Sequence, residues 1–151
     1  MHQQNHLAPG YTREPRHAPD ARLAHILCAA RATHTVEAAA HFGRWWLDSE
    51  RGQVALSVVA AQHLQVVPGV HQGLDETFIA VVLDDLLPLI AHLTAPTPET
   101  PSIDFRVLGP QDGLHWLRLT RLDASPAVPG IVSGIVADIT PAVHAGMRER
   151  L

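Results

Sequence analysis

At 151 residues and 46% hydrophobic content, the chain is long enough to bury one core of ordinary size. Its net charge of −4, with His neutral, argues against a nucleic-acid surface, which needs a basic face. No apolar run reaches the length of a membrane span, the polar start Met1-His2-Gln3-Gln4-Asn5 is not a signal peptide, and the lone Cys28 allows no internal disulfide, in keeping with a cytoplasmic location.

Residues 1–19 are polar, with Pro9, Gly10, Pro15 and Pro19, and read as a flexible N-terminus. Asp20 is placed to cap a helix in the flanking segment 20–41, where Leu23, Ile26, Leu27 and Ala30 repeat at helical spacing. Thr33 to Thr35 interrupts that stripe, and the Ala-rich run from Val36 to His41 is helical again. So short an amphipathic helix is marginal alone and must dock on something. A first strand runs from Phe42 to Asp48 with Gly43 near its start, and Ser49-Glu50-Arg51-Gly52 turns it into a second, Gln53 to Leu56. Ser57 caps a helix from Val58 to about Leu64, which Pro68-Gly69 ends.

Leu74 to Leu83 predicts a short helix, and Asp84 and Asp85 start the longest one, running to about Leu93. Pro88 falls near its first turn, where proline is tolerated. A stiff loop with Pro96, Pro98 and Pro101 precedes the third strand, Ile103 to Leu108. Gln111-Asp112-Gly113 then supplies a hairpin turn, because Asp-Gly tolerates positive φ. In the next strand, Leu114 to Leu122, Leu114, Trp116 and Arg118 face one side while His115, Leu117 and Leu119 face the other. A loop with Pro126, Pro129 and Gly130 leads to the last strand, Ile131 to Ile139. Thr140 is read as the cap of a helix beginning at Pro141, and 141–151 as its start. That helix stops on Arg148-Glu149-Arg150-Leu151 without a Gly or Asn cap, which suggests a piece of a longer protein. The order β-β-α-α-α-β-β-β suits an α+β fold, a five-stranded antiparallel sheet with helices on one face.

The residues Asp104-Phe105-Arg106, then Asp112-Gly113 and Trp116-Leu117, then Gly134 to Val136 and Ala137-Asp138-Ile139-Thr140, resemble in order and spacing the C-terminal half of a PAS domain of the fold-3-like sensory branch. Phe42 to Asp48 resembles that family's first strand, and Val82-Leu83-Asp84-Asp85 sits where many members carry His-Pro-Asp-Asp. The resemblance covers 42–140 and implies a sensory core. The function it implies is that of a regulatory, non-enzymatic module in a bacterial signal-transduction protein. Such a module senses a small molecule or a partner. Asp138-Ile139-Thr140 then passes the signal to an outgoing helix and an output domain of the same chain, a histidine kinase or a cyclic-di-GMP enzyme. The alternative is a ligand-free dimerisation or protein-interaction module.

In that fold the concave face of the sheet can leave a pocket for a small apolar ligand. On the first half of the chain the candidate lining is Val54, Leu56, Phe78, Leu86 and Ile90. On the second half it is Phe105, Leu117, Leu119, Val132 and Ile135, with Arg106, His115 and Ser133 as the placed polar groups. Plain core packing accounts for most of the apolar ones. Trp45 and Trp46 are adjacent and must point to opposite faces of a strand, so one is core and the other meets the N-terminal helix or a second subunit. A homodimer is expected through Leu23, Ile26, Leu27, Ala30 and Trp45.

Other chemistries find little support. No G-x-S-x-G context accompanies the serines. The eleven histidines read as surface composition: there is no H-E-x-x-H, His2 and His6 lie in the polar N-terminus, and His34 and His41 are merely seven apart, so no metal is expected. Haem-binding relatives place their histidine nearer the middle of the central helix than His92. The flavin branch needs a cysteine in an N-C-R-F-L-Q-like helix, whereas Cys28 lies upstream of the core.

Overall fold

The computed structural model describes residues 20–109, 111, 113–122 and 129–149, with the backbone alone at 148 and 149. The expectations for 1–19, His2, His6, Asp112, Pro126 and the last two residues lie outside them. Helix α1 (Ala21–Ala30) passes through a 3-10 turn (Arg31–Thr33) into α2 (His34–Ala40). Strands β1 (Phe42–Asp48) and β2 (Gln53–Leu56) follow, then α3 (Val58–Leu64), β3 (Gly69–His71), α4 (Leu74–Thr77) and α5 (Leu83–Thr94). The chain closes with β4 (Ser102–Gly109), β5 (Gly113–Leu122), β6 (Ile131–Asp138) and α6 (Thr140–Glu149).

The architecture is α+β, built on one antiparallel sheet of six strands in the order β3-β2-β1-β6-β5-β4. The sixth strand is β3, which pairs Val70 with Ala55 at the β2 edge. At three residues beside Pro68 it is too short to show an alternating pattern. Helix α4 is shorter than predicted, because Val81 leaves it to bridge Val107 on β4. Pro88 lies inside α5 rather than in its first turn, on the exposed side of the helix.

Two apolar clusters lie on opposite faces of the sheet. The larger joins Trp45, Leu47, Leu56, Phe105, Leu117 and Leu119 to α3, Phe78 and the Leu89 and Leu93 side of α5. The smaller joins Leu23 and Ala30 of α1 to Trp46, Ala55 and Ile131. Strand parity therefore divides the tryptophan pair: Trp45 is 2% exposed in the main core and Trp46 lies under the chain's own helix. This removes Trp45, Leu23 and Ala30 from a dimer surface, since all three are already buried within one chain. Ile26 and Leu27 pack at the margin of the smaller cluster.

Two glycines permit the close approaches. A Cβ on Gly43 would overlap the backbone of Ala60, so α3 lies directly on β1. A Cβ on Gly134 would overlap the Thr120 carbonyl and the Trp45 ring, whose indole N–H donates to the Ile135 carbonyl at 3.1 Å.

The N-terminus of α1 is pinned by charge. Asp20 accepts the Arg22 N–H at 2.8 Å as a helix cap, and Arg22 bridges Asp20 and the buried Asp48 at 3.2 Å each. Asp48 also accepts the Glu50 and Arg51 N–H groups and so shapes the β1–β2 turn. A hydrogen bond with Asp48, and then the Arg22 guanidinium, hold the Asp20 carboxyl well below the ordinary carboxylate range against the cost of burial.

Candidate functional site

The side-chain period of two, applied to the observed register, sorts the expected pocket residues. Phe105 pairs with Leu117 and Leu119 with Val136, so these point to the helix side. Val54, Leu56 and Phe78 share that core, with Leu86 and Val132 packed at its edge. Ile90 is half-buried on α5 and stands outside the cluster. The next register pairs, Arg106 with Trp116, Thr120 with Ile135 and Leu122 with Ser133, face the opposite way. Arg106, Ser133 and Ile135 therefore leave the pocket set, displaced by one residue of parity.

His115 has the inward parity of Leu117 but sits at the end of the sheet. There it lines an open cleft with Asp138, Thr140, Pro141 and His144 at the start of α6. The junction between sheet and helix is densely bonded. The Ile139 N–H donates to the Trp116 carbonyl at 2.9 Å, and the Trp116 N–H donates to Thr140 Oγ1 at 2.9 Å. The Thr140 N–H donates to Asp138 Oδ1 at 2.8 Å, and the first helical bond runs from the Val143 N–H to the Ile139 carbonyl. Asp138 thus does the capping expected of Thr140, and the Thr140 hydroxyl is used on β5 instead.

Trp116 is also the end of a second set of contacts. Its ring lies under the Arg106 guanidinium, 5.6 Å from ring centre to Cζ. Arg106 is held by Asp85 of α5 in a two-pronged pair, Nε to Oδ2 at 2.9 Å and Nη2 to Oδ1 at 3.0 Å. Asp85 Oδ2 accepts the Arg106 backbone N–H as well, at 2.8 Å. Hydrogen bonding from Arg106 holds the Asp85 carboxyl below its ordinary value, and partial burial opposes that shift. An unbroken path of contacts therefore runs from Asp85 on α5 through Arg106 and Trp116 to Thr140 at the head of α6. Sequence reasoning placed Asp85 at a helix start and Arg106 in a pocket, and did not pair them. The Arg–Trp pairing across β4 and β5 was legible in principle once the Asp-Gly hairpin set their register.

His92 lies in the last turn of α5 with Nε2 3.3 Å from the Pro101 carbonyl. Cys28 is exposed on α1. Among the described residues no three His, Cys, Asp or Glu side chains gather as a metal site. Among them, too, no helix is long and apolar enough to cross a membrane.

No family model matches this chain, and no curated protein matches it. Its structure is similar to that of a sensory box histidine kinase/response regulator from Burkholderia thailandensis E264, with a TM-score of 0.56 and 17% identity over 78% of this chain and 92% of that one. It is also similar to an RNA-binding light-oxygen-voltage receptor, with a TM-score of 0.51 and 21% identity over 73% of this chain. The match spans 31% of the receptor's own length. Both neighbours are PAS-fold proteins. With its six-stranded antiparallel sheet, its helices α3 to α5 over one face and α6 leaving the end of β6, this chain has the PAS fold.

Proposed function

We propose that the chain is a sensory, non-enzymatic module of a bacterial signal-transduction protein, acting in the cytoplasm. A small molecule or a partner shifts the packing of α5 on the sheet, and Asp138-Ile139-Thr140 passes the shift to α6 and an output domain. A histidine kinase or a cyclic-di-GMP enzyme is the output in this reading. The observation that carries it is the path from Asp85 through Arg106 and Trp116 to Thr140, which gives α5 and α6 a shared mechanical element. Similarity to a sensory box histidine kinase/response regulator supports a kinase output by analogy. The test is hydrogen exchange on Thr140→Val, which deletes the hydroxyl that accepts the Trp116 N–H. Faster exchange in α6 and at the Trp116 amide, with the rest of the sheet unchanged, is expected. Equal α6 protection in the variant would sink the coupling.

A ligand-free dimerisation module is the second reading, and a specific surface favours it. Leu83 and Leu87 are 79% and 76% exposed one turn apart on α5, and Ile79, ahead of the helix, is 75% exposed. In this reading a second copy covers them, in place of the α1 stripe. Native mass spectra with an absorption spectrum of the purified protein separate the two. A reproducible bound mass supports the sensor, and a clean dimer that Leu83→Asp dissolves supports the assembly module.

A further inference from the structure

A cavity of about 420 Å³ lies between α1–α2 and the β2–α3 corner. Its walls are largely apolar: Leu27 and Ala30 from α1, and Leu56, Val58 and Pro68 around the start of α3 and of β3. Three charged or titratable side chains also line it, Arg31, His34 and Glu37. Glu37 is 1% exposed, and its Oε1 has no hydrogen-bond partner among the described residues. An unpartnered buried carboxyl oxygen costs free energy that a donor would recover. The first turn of α2 supplies partial positive charge near it but no hydrogen bond. Arg31 lines the same cavity yet makes no ion pair with Glu37 among the described residues. The cavity thus offers an apolar wall with a carboxyl and a guanidinium that do not satisfy each other.

We propose that this cavity binds a small zwitterion with an apolar body, the chemical class of the free apolar amino acids. Its ammonium group donates to Glu37 Oε1, its carboxylate meets Arg31 with His34 beside it, and its side chain covers Leu27, Ala30, Leu56 and Val58. A size of this order is ordinary for small-molecule sites, and mostly apolar walls with a few placed polar groups are their usual composition. The site rests on its own geometry and requires no signalling role for the chain.

The experiment is a nuclear magnetic resonance titration of the isotope-labelled full chain with L-phenylalanine and L-leucine. Two half-probes accompany them, 2-phenylethylamine without the carboxylate and 3-phenylpropionate without the amine. Saturable shifts are expected at the amides of Leu27 to Glu37, Ser57, Val58 and Gly69, with either zwitterion tighter than either half. Glu37→Gln is expected to weaken the zwitterions and the amine by at least about tenfold, as a lost charge-assisted hydrogen bond should. It should leave 3-phenylpropionate unaffected, whereas Arg31→Gln should weaken the zwitterions and 3-phenylpropionate and spare the amine. Val58→Trp, which fills the cavity from its exposed side and keeps Glu37, should abolish all binding. The melting temperature of unliganded Glu37→Gln should not fall, whereas a purely structural Glu37 would lower it. No saturable shift from any of the four probes overturns the assignment. So does affinity that Glu37→Gln leaves intact, or a binding map that omits the residues lining the cavity.

Discussion

Truncation of Leu23 tests how α1 is used. The side chain is 0% exposed and packs between Trp46, Ala55 and Ile131 on the outer face of the chain's own sheet. Leu23→Ala removes about three carbon groups at about 0.8 kcal/mol each, so the transfer loss is about 2.4 kcal/mol. Trp46 and Ile131 are anchored in the sheet and collapse only partly, so the residual cavity raises the cost to about 3 kcal/mol, inside the usual range of roughly 2–5 for this change. In a domain of this size that lowers Tm by about 6–12 °C, at about 2–4 °C per kcal/mol. The assay is urea and thermal unfolding at widely separated protein concentrations. The loss should be the same at each, because the contact is within one chain. A loss below about 1 kcal/mol, or one that grows on dilution, would mean that α1 packs on a second subunit and that the docking described above is wrong.

The half-buried Leu27 should lose clearly less when truncated to Ala, as the same melts would report. Gly134→Ala forces a methyl group into the Thr120 carbonyl and the Trp45 ring, and should cost about 1–3 kcal/mol or more by urea unfolding. A near-neutral result would show that β5 and β6 can part at that point. The folded pKa values of Asp85 and Asp20 are depressed, so their contribution is present above the ordinary carboxylate pKa of about 4 and fades as pH falls through the lower folded values. Stability should therefore drop steeply with acid, and Asp85→Asn should flatten part of that slope. An identical pH profile in the variant would refute the assignment of the Arg106 pair. A double-mutant cycle of Asp85→Asn with Trp116→Phe, read by α6 hydrogen exchange, should show coupling along the path.

Much of the fold follows from local chemistry. Alternation in Leu114 to Leu122 assigns Leu117 and Leu119 to one face and Trp116 and Arg118 to the other, and the register agrees. Ser57 caps α3, where its Oγ accepts the Ala60 N–H, and Asp20 caps α1, because short polar side chains reach the free N–H groups of a helix start. Gly113, with φ of 77°, turns the hairpin. The period of two and the chemistry of caps and turns are properties of neighbouring residues, so one strand of text carries them.

Other features depend on residues distant along the chain. Period two says that Trp45 and Trp46 part company, but not which meets the core; the packing of α3 on one face of β1 and of α1 on the other settles that. Parity errors of one residue moved Arg106, Ser133 and Ile135 to the outer face, since nothing in a single strand marks which side the helices will cover. The clamp of Asp85 on Arg106 joins a helix to a strand 21 residues away. Glu37, one acid in an Ala-rich run, becomes a buried and unpartnered group only when α1 and α2 fold over the β2–α3 corner. Spacing specifies what each segment becomes, and burial, which depends on what packs against it, specifies what its side chains can do.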